Sequence, residues 1–344
     1  MKIIFHPHHL KLRHTFTISR ESRDVQETLI VELTDGEISG YGEATANPYY
    51  GTTLESMQNT LKKVELPSKW ETPALLWENL KGYFANDTFA QCALDLAAYD
   101  YWGKKHKKPV WKMLGLNSAN NLYSNYTIGI DTIPKMVSKM EEFKTWPIFK
   151  IKLGTDKDLE IVRELRKHTH SVFRVDANCG WTADQTIELS RPLKRLGVEF
   201  IEQPLPADNW ADMEKVFKQS ALPIIADESC ITESDVNNCL NTFHGINIKL
   251  TKCGGITPAI RMINKAKKYN KKVMIGCMTE STVGISAIAQ LTPMLDYVDM
   301  DGAVLLGEDI AEGVKVVEGK PVYPKNIYGN GITLKDKPFK VEIY

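Results

Sequence analysis

The sequence predicts an α/β protein: a (β/α)8-type barrel preceded by an N-terminal α+β capping domain, with the end of the chain completing that cap. Three observations carry this. Short β-rich runs begin near Asn125, Ile148, Val172, Val198, Pro223, Gly245, Lys272 and Tyr297, at intervals of 22 to 27 residues. Each interval is what a strand, a turn and a short helix require, and eight such units close a barrel. No GxGxxG follows the first of these strands, which disfavours a doubly wound sheet. Finally, the first third of the chain has strands first and helices afterwards, the order of an α+β domain.

The elements follow in sequence. Residues 3–5, 27–33 and 39–43 read as strands, and Thr34-Asp35-Gly36-Glu37 is a turn between the last two. Helical patterns cover 53–64, 74–84 and 87–105, the last with Phe89, Cys92, Ala93, Leu96, Ala97 and Tyr101 on a 3.6-residue period. The expected boundaries are a cap at 1–120, a barrel at 121–318, and a strand- and turn-like segment at 319–344 that packs back on the cap.

The 344 residues carry 43 Lys+Arg against 43 Asp+Glu, and the neutral balance argues against partners such as nucleic acid or an anionic membrane. No 18-residue apolar run and no signal-type N-terminus is present, and the six cysteines form no CxxC pair. These features predict a cytoplasmic protein with reduced thiols.

Chemistry in such a barrel collects at the carboxyl ends of the strands. The ends of strands two through six read Lys152, Asp176, Glu202, Asp227 and Lys249. Charges often follow a strand because it has reached solvent, but an ordered run of Lys, acid, acid, acid, Lys is harder to obtain that way. Three carboxylates converging at the mouth would repel one another, and a hard divalent ion relieves the repulsion. Oxygen-only ligands favour Mg2+ (or Mn2+), and no His stands at a strand end to favour zinc. Lys152 and Lys249 should face each other across the metal. Lys150 points to the same face as Lys152 and should lower its pKa. Two opposed lysines and a metal suit removal and return of a proton α to a carboxylate.

These pieces resemble the enolase superfamily, and within it the muconate lactonizing enzyme subgroup: Lys150-x-Lys152, Asp176-Ala-Asn178, Glu202-Gln203-Pro204, Ala226-Asp227-Glu228-Ser229 and Lys249-x-x-Lys252-x-Gly254-Gly255. The match spans essentially the whole chain in motif order. The resemblance implies an enolase-like barrel with Asp176, Glu202 and Asp227 as metal ligands and Lys152 and Lys249 as acid/base lysines. Lys252 is then a turn residue, and Asn178 and Glu228 look like partners that orient ligands or lysines. Asp299-Met300-Asp301-Gly302 looks like the Asp-x-Asp motif of dipeptide epimerases, where carboxylates hold a free ammonium group. The implied activity is epimerisation of an L-Ala-Xaa-like dipeptide, of the L-Ala-D/L-Glu epimerase type. Racemisation of N-acylamino acids, o-succinylbenzoate synthesis and muconate-type cycloisomerisation on the same core are the alternatives, and a non-catalytic peptide-binding barrel is a remote one. Family members are commonly homo-oligomers.

Specificity should come from two cap loops, 15–24 and 47–52. Arg20 or Arg23 would pair with an acidic side chain; alternatively Phe16, Ile18, Tyr49 and Tyr50 would wall an apolar one. Glu280, after strand seven, is a further candidate to hold a lysine or the substrate amine. His6, His8 and His9, the Lys104–Lys108 run, His168, His170 and Trp181 read as structural or solvated residues.

Overall fold

In the computed structural model, residues 1–85, 87–117, 122–325, 327–335 and the backbone of 342–343 are described. The cap begins with β1 (Lys2–Ile18) and β2 (Glu21–Thr34), paired antiparallel, and β3 (Ser39–Thr45) adds to β2. The hairpin is far longer than the sequence suggests. Residues 15–24, expected as a loop, are its tip, with Phe16 opposite Arg23 and Ile18 opposite Glu21. The second strand of the tip, residues 21–24, has no apolar residue and so lacks the alternation that marks a strand. Side-chain bonds hold it: Thr15 Oγ1 donates to Asp24 (2.6 Å), and the Thr17 and Ser22 hydroxyls pair at 2.9 Å.

α1 (Leu54–Leu61), α2 (Pro73–Phe84) and α3 (Thr88–Lys105) follow, each with an N-cap side chain, Thr53, Thr72 and Asp87, accepting from the first turn. A single turn, α4 (Val110–Met113), leads to the barrel. α3 is the buried hinge pin of the molecule, packed on β3 on one side and the barrel on the other. It comes so close to β3 that a β-carbon at Gly42 would lie 2.0 Å from the Ala93 carbonyl oxygen.

The eight expected barrel strands all form. They are β4 (Tyr126–Ile128), β5 (Ile148–Lys152), β6 (Val172–Asp176), β7 (Val198–Glu202), β8 (Ile224–Ala226), β9 (Gly245–Lys249), β10 (Lys272–Gly276) and β11 (Tyr297–Asp299). They pair in chain order in one parallel sheet, and a bridge between Ser124 and Val298 joins its two edges. The intervening helices are α5 (Ile133–Glu142), α6 (Asp158–Arg166), α7 (Ala183–Arg195), α8 (Trp210–Gln219), α9 (Val236–Cys239), α10 (Leu250–Cys253), α11 (Ile256–Lys268) and α12 (Thr282–Ala289). One expectation fails: β11 is followed by a 3-10 turn, Gly302–Leu305, not an α-helix. The chain is drawn back to the cap there, where Leu306 bridges Leu12 of β1.

The tail touches both parts. β12 (Ala311–Glu312) pairs with β15 (Thr333–Leu334), and β13 (Lys315–Val317) with β14 (Lys320–Val322). Gly319 in that second hairpin accepts from the Ser124 backbone at 2.8 Å, so this part lies on the barrel. β16 (Glu342–Ile343) joins β1 in the cap sheet. Among the described residues no helix is long and apolar enough to cross a membrane.

Buried acids lock cap to barrel. Glu43 of β3 accepts from the Ser281 and Gly284 amides (3.0 and 2.9 Å) and the Ser281 hydroxyl (2.6 Å), placing a carboxyl at the N-terminus of α12. Asp95 of α3 does the same for α11 through the Thr257 amide and hydroxyl, both at 2.9 Å. Gly42→Ala should therefore cost about 1–3 kcal/mol or more, because the clash is with backbone that cannot rotate away. Urea unfolding measures it, and an unchanged midpoint would mean that β3 and α3 can separate freely.

Candidate active site

Strand register brings the chemistry to one level. Lys152 lies beside Asp176 and Asp176 beside Glu202 in the sheet. On the other side Lys249 lies beside Gly276 and Gly276 beside Asp299. Asp227 directly follows β8. All are at carboxyl ends, as the sequence predicts.

Asp176, Glu202 and Asp227 are wholly buried, and one oxygen from each lies within 4.8 Å of the others. Their orientations are fixed. The Asn178 amide donates to Asp176 Oδ1 (3.0 Å), and Asn247 Nδ2 donates to Glu202 Oε1 (2.8 Å). A β-carbon at Gly276 would sit 2.8 Å from the Asn247 side chain, so the glycine leaves room for this asparagine. Gln203 accepts from the Asp227 and Ser229 amides (2.9 and 3.1 Å), clamping the segment that carries Asp227. Lys252 Nζ donates to Asp227 Oδ1 and to its carbonyl, both at 2.5 Å. Expected as a turn residue, Lys252 is a fully buried anchor in α10.

Four lysines surround the acids. Lys152 Nζ is 2.6 Å from Asp176 and Lys249 Nζ 2.7 Å from Asp227, at the two ends of the acidic row. Lys150 contacts Glu202 (2.8 Å), Asp176 (3.1 Å) and Asp299 (2.9 Å). Burial opposes ionisation of Asp176, but Lys152 and Lys150 outweigh it and bring its pKa down to about 2. Burial and the charge of Asp176 push Glu202 up to about 7. Asp227 is held well below the carboxylate range because Lys249 and Lys252 overcome its burial. Lys249 is shifted upward. Burial and Lys150 oppose its charge, yet Asp227 holds its ammonium above the ordinary value.

The donor set fits a hard divalent cation: three buried carboxylates, oxygen only, converging on one point. Carboxylates this close and this dry need a positive charge between them.

A cavity of about 80 Å3 lies over these groups. Its floor includes Lys150, Lys152, Lys249, Asp299 and Asp301, with Asn178 at the side; Phe16, Ile18, Arg20 and Arg23 reach it from the hairpin tip. Asp299 and Asp301 are shifted in opposite directions. Burial works against the Asp299 charge, but Lys150 brings its pKa below the ordinary value; burial and the neighbouring Asp299 push Asp301 well up. Glu228 is buried behind the wall, bonded to Arg20 (2.9 Å) and Asn178 (3.4 Å), as an orienting partner would be.

Two candidates lie elsewhere. Tyr50 does not line the cavity; its ring packs on Phe89 and Tyr49 at 5.5 and 4.9 Å, because the apolar cap core takes it. Glu280 is also absent from the lining. It accepts from the Met278 amide (2.8 Å) beside buried Glu43, and burial with that neighbour pushes its pKa up to about 8. Among the residues set aside, Trp181 bonds Asp158 at 2.6 Å in loop packing, and His168 sits by Glu141 and Glu164 on a half-exposed face. Asn125, Thr127, Gln203 and Asn247 hold site carboxylates or their segments and were not predicted. A neutral amide within a strand carries no signal until its neighbour on another strand is known.

A carboxyl with a raised folded pKa favours the fold at low pH, and that contribution is lost as pH rises from the ordinary carboxylate range through about 8. Glu280→Gln should thus gain about 1–3 kcal/mol over the parent at pH 9 and differ little at pH 5. Denaturant curves at the two pH values test it, and equal curves at pH 9 would contradict the buried placement.

The comparisons with known proteins agree with this layout. Residues 2–115 match the mandelate racemase / muconate lactonizing enzyme N-terminal domain, and 135–337 match the enolase C-terminal domain-like family. An L-Ala-D/L-amino acid epimerase of Flavobacterium johnsoniae is 56% identical over 97% of this chain and 100% of its own length. The substrate-liganded L-Ala-D/L-Glu epimerase of Bacillus subtilis superposes with a TM-score of 0.91 at 26% identity, covering 96% of this chain and 98% of that one. A dipeptide epimerase of Enterococcus faecalis, complexed with Mg and L-Leu-L-Tyr, gives 0.88 at 28% identity over 96% of this chain and 99% of that one.

Proposed function

Because this chain belongs to the mandelate racemase / muconate lactonizing enzyme family of the enolase superfamily, we propose that it is a dipeptide epimerase. It inverts the α-carbon of the C-terminal residue of an L-Ala-Xaa dipeptide. The observation that carries this choice within the family is the presence of Asp299 and Asp301 on the same cavity floor as Lys152 and Lys249. A free dipeptide is anionic at one end and cationic at the other, and the cavity has a counterpart for each. An N-acylated amino acid or a dicarboxylate brings no cation to the Asp pair, where only Asp299 has one already, Lys150 at 2.9 Å. The relatives named as dipeptide epimerases support the same reading.

Asp176, Glu202 and Asp227 would hold Mg2+ (or Mn2+), which supplies positive charge to offset the negative charge that develops on the substrate carboxylate. Lys152 and Lys249 stand at opposite ends of the acidic row. One takes the α-proton and the other returns a proton to the opposite face, inverting the centre. Lys150 remains charged, held between Glu202, Asp176 and Asp299. Asp299 and Asp301 orient the ammonium, so the α-carbon is presented to the lysines.

The side-chain preference follows from the hairpin tip. Arg20 is paired with Glu228 and stacked on Tyr49 at 4.1 Å, and Arg23 is bonded to Glu21 and Gln26. Both guanidinium groups already have partners, while Phe16 and Ile18 face the cavity. This favours uncharged over acidic side chains at the epimerised residue.

Proton NMR in D2O with Mg2+ should show deuterium entering the α-position of the C-terminal residue of L-Ala-Xaa dipeptides, with both epimers appearing. The absence of exchange in every free-amine dipeptide would contradict the reading. Lys152→Ala and Lys249→Ala should each lower epimerisation about 10²–10⁴-fold; full turnover by either removes that lysine from the mechanism. Chelation with EDTA should abolish turnover, and added Mg2+ or Mn2+ should restore it. Activity that persists after exhaustive chelation would refute the metal's role.

A further inference from the structure

The sheet is thinnest where the barrel closes, between β11 and the chain entering β4: the bridge between Ser124 and Val298 is isolated from any ladder. Polar side chains do the rest of the joining. Asn125 Nδ2 donates to Asp299 Oδ1 at 2.8 Å, the Thr127 amide donates to Asp301 Oδ2 at 2.6 Å, and Ser124 Oγ accepts from the Met300 amide at 2.9 Å. From beneath, Arg174 Nη1 reaches the Val298 carbonyl at 3.1 Å and Asn125 Oδ1 at 3.4 Å.

We infer that Asn125 is a positioning residue for ammonium recognition: it fixes the Asp299 carboxylate in the orientation that receives the substrate's N-terminus. This rests on the dipeptide reading. The amide's orientation follows from its neighbours, since a guanidinium can only donate and a carboxylate only accept. Asn125 is fully buried, so no water can replace it at either contact. Its bond leaves Asp299 Oδ2 directed at Lys150, 2.9 Å away. Asn125 thus separates the two oxygens of Asp299, one tied to the closing seam and the other turned to the site. A carboxylate released from the seam could swing onto Lys150 with both oxygens, weakening the clamp while leaving Lys152 and Lys249 in place.

The test compares L-Ala-Xaa dipeptides with the matching N-propionyl amino acids, which lack only the ammonium group. The readout is the ratio of kcat/KM for the two, with kcat and KM measured separately. In Asn125→Ala the preference for the free amine should fall about tenfold or more. The change should lie in KM for the dipeptide, with kcat within a few-fold of the parent. The isosteric Asn125→Asp keeps Arg174's partner but loses the donor, and should lose the preference too. Mg2+ affinity by calorimetry should be unchanged in both. A purely structural role would lower turnover of both substrates alike and leave the ratio as it was, overturning the inference. So would failure of both variants to fold, which would make Asn125 a residue of barrel closure alone. Failure of the parent protein to exchange any dipeptide would refute the functional reading itself, before the ratio is measured.

Discussion

Three carboxylates with no exposed surface, on neighbouring strands and within reach of one another, are the constraint on which this structure depends. Their mutual repulsion at low dielectric is too large to leave uncompensated. The chain meets it with four lysines. Lys252 is locked beneath Asp227, Lys150 is shared among Asp176, Glu202 and Asp299, and Lys152 and Lys249 close the two ends. Lys252 is sealed, and Lys150, though on the cavity floor, is held by three carboxylates; Lys152 and Lys249 line the same cavity with one carboxylate each. The division separates charges that stabilise the site from charges that can exchange protons with a ligand.

The cap supplies the second condition. Glu43 and Asp95 are spent on helix N-termini of the barrel, so the two parts are joined by buried polar bonds as well as by apolar packing. That attachment brings the hairpin tip over the mouth, and Phe16, Ile18 and Arg20 narrow access to the lysines. Excluding water there strengthens every electrostatic contact on the floor.

Much of this was legible in the sequence, for physical reasons. A parallel strand must end where its helix begins, so a 22- to 27-residue rhythm located the barrel strands, and charge at their ends located Lys152, Asp176, Glu202, Asp227 and Lys249. The hairpin tip was illegible because its second strand, residues 21–24, has no apolar residue, and its pairing rests on the ladder and on bonds between side chains. Glu280 misled because an acid after a strand gives the same signal whether it turns to the cavity or, as here, to the interface beside Glu43. The raised pKa of Lys249 was illegible because spacing does not reveal its 2.7 Å contact with Asp227. Asn125, Asn247 and Gln203 escaped because an amide's role is set by partners on other strands.

The central claim is that one cavity holds a dipeptide by both charged ends with its α-carbon between two lysines. A crystal structure with Mg2+ and an L-Ala dipeptide tests it most directly. The account predicts the ammonium against Asp299 and Asp301, the metal among Asp176, Glu202 and Asp227, and the C-terminal α-carbon flanked by the Lys152 and Lys249 amines. A dipeptide bound in the opposite direction, or with that carbon out of reach of either lysine, would contradict it.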